Sequence, residues 1–215
     1  MKEIENWQYL SSLPAKQGGF FLSKGETLRP NGNYYSIFTY RNEELRRGFS
    51  IRYDKTTKEY AARVTVGLTE FCDITYIAGS LAKLEAILRE RLAKTLSLLE
   101  NFQESSLSGE FLQKKILEWP FNLPREIAGF GLFLQPSAPL ALVNGSYIII
   151  DYSDFVSCSS LIIYYNIFRD EFFGELKLKN TPLTTAAFDA KTLPELDKKI
   201  RDCLKPALES LRAKL

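Results

Sequence analysis

The feature that most constrains this chain is that its order of residues recurs. Asn31-Gly32 followed by Tyr34 returns as Asn144-Gly145 followed by Tyr147, and Glu59-Tyr60 returns as Glu171-Phe172. From there a spacing of 112 holds to the C-terminus. Ser80-Leu81 matches Thr192-Leu193, and Leu84, Leu88, Leu92, Leu96 and Leu99 fall on Leu196, Ile200, Leu204, Leu208 and Leu211. Upstream, Trp7, Leu13-Pro14 and Gly19-Phe20 find counterparts in Trp119, Leu123-Pro124 and Gly129-Phe130. A shared order at a near-constant spacing marks an internal repeat. It predicts two copies, 1–105 and 106–215. The segment Glu104–Glu110, with Ser105, Ser106, Ser108 and Gly109, reads as the linker.

Each copy reads alike. A short amphipathic, helical segment near Trp7 or Trp119 comes first. Aromatic and β-branched runs then predict strands. In the first copy these are Phe20–Leu22, Tyr34–Tyr40, Phe49–Tyr53, Tyr60–Val66 and Cys72–Ala78; in the second, Gly131–Leu134, Ser146–Tyr152, Leu161–Phe168, Phe172–Leu178 and Thr185–Phe188. Asp54-Lys55-Thr56-Thr57, Arg169-Asp170 and Lys179-Asn180-Thr181-Pro182 read as hairpin turns. Asn31-Gly32 and Asn144-Gly145 suit turns that need positive φ. A long helix closes each copy. Ser80 and Thr192 are its N-caps, and Thr192-Leu193-Pro194-Glu195 is a capping box. The leucines recur at three and four, which makes one apolar stripe. Pro206 sits inside the second stripe and predicts a kink or break, because it removes a backbone donor.

Strands followed by a helix, twice, give the expected fold class. It is α+β with an internal duplication. Each copy is an antiparallel β-sheet of about four or five strands followed by a long C-terminal helix. The two copies are expected to pack as a pseudo-two-fold pair.

Composition narrows the chemistry. The chain has 215 residues, 28 basic and 26 acidic side chains, and no histidine. Ser-His-Asp and Cys-His nucleophile activation, HExxH zinc sites and histidine pH switches are therefore excluded within it. The cysteines, Cys72, Cys158 and Cys203, are odd in number and far apart, so neither a disulfide framework nor a structural zinc site is expected. The N-terminus has no apolar signal core, and no apolar run approaches the roughly 18–20 residues of a membrane span. No membrane association and a reducing cytoplasmic location are the expectation.

The motif search leaves no catalytic set. Gly129-Phe130-Gly131 lacks the third glycine of a dinucleotide loop, and Ser23-Lys24-Gly25-Glu26-Thr27 has the wrong order for a phosphate loop. Cys158, in Ser157-Cys158-Ser159-Ser160, has no base to activate it. Two carboxylate pairs, Asp151 with Asp154 and Asp170 with Glu171, could carry acid–base chemistry or hold a hard cation. The second has no acidic counterpart in the first copy, where Lys58-Glu59 stands. The expectation is a non-enzyme with no cofactor and no metal.

Basic and aromatic residues interleave in the first copy. Arg41, Arg46, Arg47, Arg52, Tyr53 and Arg63 are its candidate partner or nucleic-acid surface. Stacking rings beside cations is how single strands are bound. Residues 31–79 carry seven basic and six acidic groups, against four and six in 144–191. A phosphate-tracking surface shows a basic excess, so the balance favours an ordinary sheet surface. Two copies of strands-then-helix packed as a pair resemble the architecture of the Whirly and PC4-type single-stranded-DNA-binding proteins. That resemblance is one of element order. It implies single-stranded nucleic acid as a ligand. The Whirly strand motif Lys-Gly-Lys-Ala-Ala-Leu has its nearest match in Lys24-Gly25-Glu26-Thr27-Leu28, with Glu26 where the second lysine belongs. The functional expectation is a non-catalytic interaction protein whose partner is another protein. Single-stranded nucleic-acid binding is the alternative, and a carboxylate- or lysine-based enzyme stands third.

Overall fold

The structure is a computed structural model and describes residues 2–24 and 33–215. The Asn31-Gly32 turn and the Lys24–Leu28 stretch beyond Lys24 lie outside them. The chain divides into two compact units, Met1–Asn101 and Phe102–Leu215. It is α+β with two antiparallel sheets.

In the first unit, α1 (Lys2–Glu5) and α2 (Gln8–Ser12) flank Trp7. Six strands follow: β1 (Lys16–Gln17), β2 (Phe20–Lys24), β3 (Tyr34–Asn42), β4 (Arg47–Asp54), β5 (Glu59–Val66) and β6 (Thr69–Ala78). Each pairs with its neighbour in sequence, so the sheet is a meander. Helix α3 (Leu81–Glu100) closes the unit. Its stripe of Leu81, Leu84, Leu88, Leu92, Leu96 and Leu99 is buried, as the three–four spacing requires. On the sheet, period-two alternation sends Phe49 and Ile51 to the helix side. There the Phe49 ring meets Tyr76 at 5.0 Å, and the Tyr76 hydroxyl reaches Thr95 of α3 at 2.6 Å.

The second unit begins with a 3₁₀ turn at Glu104–Ser106, α4 (Gly109–Gln113) and a second 3₁₀ turn at Ile116–Glu118. Buried Leu107 and Phe111 join its core. Seven strands follow: β7 (Glu126–Ile127), β8 (Phe130–Leu134), β9 (Leu140–Ala141), β10 (Ser146–Asp154), β11 (Ser159–Asn166), β12 (Glu171–Leu178) and β13 (Thr181–Leu183). The order is β13-β12-β11-β10-β8-β7, with β9 also on β10. Helix α5 (Leu193–Arg212) covers one face with Leu196, Ile200, Leu204, Leu208 and Leu211.

Both sheets exceed the expected four or five strands. The surplus comes from β1, β7 and β9, which span two residues each and are too short for any alternation to show. The predicted strand Thr185–Phe188 does not form. The pairing is instead at Thr181–Leu183, and only the bridge between Phe172 and Ala190 resumes it. In between, the Thr185 hydroxyl accepts from the Ala187 amide at 3.2 Å, and Phe188 turns into the core over Gly174. A Cβ at Gly174 would stand 2.7 Å from the Phe188 ring, so the glycine makes the room. Nor does Pro206 break its helix. Pro206 and Asp202 are both exposed, so water can serve the carbonyl that loses its donor. At the N-cap, Thr192 accepts from the Glu195 amide at 3.3 Å, whereas Glu195 reaches Lys191, one residue before the position a capping box uses.

Recurring details tie each sheet to its helix and its entry loop. The buried Tyr40 hydroxyl donates to the Pro14 carbonyl at 2.7 Å, and the Tyr152 hydroxyl to the Pro124 carbonyl at 2.6 Å. Burial pushes both phenols up to about 12. The β3–β4 register slips at Ile37 and the β10–β11 register at Ile149, one bulge each. At the helix ends, Glu100 accepts from the Gly19 amide at 2.7 Å, while Arg212 donates to the Ala128 carbonyl at 2.7 Å.

Candidate interaction surface

The pleat decides which candidate residues of the first sheet meet. Arg52 and Ser50 alternate with Phe49, Ile51 and Tyr53, so they face away from α3. Register then places Arg63 opposite Ser50, and Arg52 opposite Ser36. Arg41 pairs with Gly48 and Phe21. Arg41, Arg52 and Arg63 therefore share the helix-free face, together with Tyr34, Glu59, Glu70 and Phe21. Phe21 is 59% exposed, with Lys16 Nζ 4.9 Å from its ring centre.

Two of the three arginines on this face, Arg41 and Arg52, are paired with acids. Arg52 grips Glu70 with two nitrogens, at 3.0 and 2.7 Å, and its guanidinium lies 5.2 Å from the Tyr34 ring centre. Arg41 meets Glu43 at 2.8 Å. Asp54 lies at the end of β4, where hydrogen bonds from Thr56 and Thr57 hold its carboxyl below the usual range, with a smaller contribution from the Arg63 charge. Exposed pairs of this kind contribute little to stability, but they offset the charge of Arg41 and Arg52 that phosphate would otherwise meet.

The other three candidates do not join the face. Arg46 sits in the β3–β4 hairpin with φ of 49°. Arg47 lies on the helix side and donates to the Leu99 carbonyl, close to the C-terminus of α3, where a cation is favoured. Burial lowers its pKa. Tyr53 packs against Tyr60 with ring centres 4.9 Å apart. Arg47 and Tyr53 differ from Arg52 by odd numbers of residues, so the strand pleat must separate them from it.

The same parity separates Asp151 from Asp154. Asp154 accepts from the Ser157 hydroxyl at 2.7 Å and from Arg212 at 2.9 Å, and these hold it below the usual carboxylate range. Asp170 is kept low by Lys114, at 2.6 Å, and by the Tyr165 hydroxyl, at 2.8 Å; Glu171 is kept low by Lys191, at 2.9 Å. Both residues of that second pair are thus engaged with cations. Cys158 occupies the β10–β11 turn with φ of 52°, its sulfur 3.7 Å from the Phe155 carbonyl. Of the Gly129-Phe130-Gly131 glycines, Gly129 lies in the β7–β8 turn, where Arg212 closes over it, and Gly131 is a residue of β8 paired with Glu126 and Ser153.

Asp151 is different. It points to the helix-free face of the second sheet and is fully buried. Only the Ser153 hydroxyl donates to it, at 2.6 Å, and its Oδ2 has no partner. Ser153 is registered with Ser160, whose buried hydroxyl is also unpartnered, and Ser160 with Lys177. Burial pushes the Asp151 carboxyl up to about 7, against smaller opposing effects of Ser153 and the Lys177 charge. Its burial was missed in the sequence reading. The usable signal was the unbroken apolar runs Ile148–Ile150 and Leu161–Tyr165, which mark strands buried on both faces.

No protein-family model, curated protein or solved structure matches this chain. Among the described residues no group of three or more acidic or sulfur side chains could hold a metal ion, and no helix is long and apolar enough to cross a membrane.

Proposed function

We propose that the chain is a non-catalytic protein-binding module made from two copies of one α+β design. It meets its partner through the helix-free face of the first sheet. The pairing on that face carries the reading: Arg52 is held bidentately by Glu70, and Arg41 meets Glu43 through a single contact, beside the exposed Phe21 ring. Mixed charge around apolar rings suits a protein interface, which places aromatic and arginine anchors within a polar rim. Nucleic acid asks for uncompensated cations.

The duplication is supported by backbone geometry that no single pair of matched residues could supply. Left-handed residues recur 112 positions apart at Arg46 and Cys158, Lys58 and Asp170, and Gly67 and Lys179. The tyrosine–proline hydrogen bond and the strand bulge recur as well.

A labelled single-stranded oligonucleotide titrated at low salt separates this reading from its alternative. No saturable shift is expected. A salt-dependent complex that weakens when Arg52 or Arg63 is changed to alanine would replace protein binding with nucleic-acid binding.

A further inference from the structure

We draw no further inference here: the strongest candidate, the buried Asp151–Ser153–Ser160 cluster on the helix-free face of the second sheet, carries nothing because nothing in the structure shows what its unpartnered oxygens, Asp151 Oδ2 and Ser160 Oγ, would bind.

Discussion

Asp151 should make the second unit lose stability as pH rises. Its carboxyl titrates at about 7 in the fold, against 3.8 for the ordinary group. The folded form therefore holds a proton that the unfolded chain releases anywhere between those values. Stability falls with pH wherever the native state binds more protons than the unfolded one. The loss is absent below about pH 4 and complete above about pH 7. A shift of about three units at 1.36 kcal/mol each makes it about 4 kcal/mol. No discount for solvent screening applies, since the side chain is fully buried. Asp151→Asn keeps an oxygen for the Ser153 hydroxyl and cannot ionise. Its amide brings buried donors whose cost, about 1–3 kcal/mol if unmet, does not vary with pH. The test therefore reads slope and not offset. Urea unfolding of the full chain at pH 5, 6, 7 and 8, followed by Trp119 fluorescence in a Trp7→Phe background, reports the second unit. Relative to asparagine, the native residue should lose stability from pH 5 to about pH 7 and then level off towards pH 8. Parallel pH profiles for the two would refute the reasoning.

Tyr40→Phe and Tyr152→Phe each remove one part-buried hydrogen bond to the carbonyl of an exposed proline. Each should cost its own unit about 0.5–1.5 kcal/mol in chemical unfolding, and the two costs should agree if the units share one design. Pro206→Ala restores a backbone donor at an exposed position of α5. It should stabilise the second unit by about 1–3 kcal/mol, read as a higher urea midpoint at unchanged slope.

The long elements were legible because their physics is local. A leucine stripe spaced at three and four, with a hydroxyl cap before it, places α3 and α5 within a residue of their observed starts. Alternation from Tyr60 to Val66 gives β5 in the same way. Two-residue strands carry no period and were invisible. The failure at Thr185–Phe188 was tertiary: the residues have strand character, but Gly174 opens a seat for the Phe188 ring, and filling it outweighs pairing. Pro206 does not end α5, because on a wet helix face water can replace the lost donor. For the candidate surface, parity alone could have separated Arg47 and Tyr53 from Arg52, and Asp154 from Asp151. What parity could not reveal is that Glu70, eighteen residues after Arg52, folds back across the sheet to neutralise it.

The central claim is tested most directly by affinity capture from the chain's own cell extract, comparing the native protein with Phe21→Ser/Arg41→Glu. Both residues are exposed on the helix-free face, so the pair should fold as the native chain does, which circular dichroism checks. A control change, Lys205→Glu, alters only the exposed side of α5. The account predicts one partner protein retained by the native chain and by the control, and lost by the double variant. A partner held equally by all three, or no stoichiometric partner after crosslinking, would contradict it.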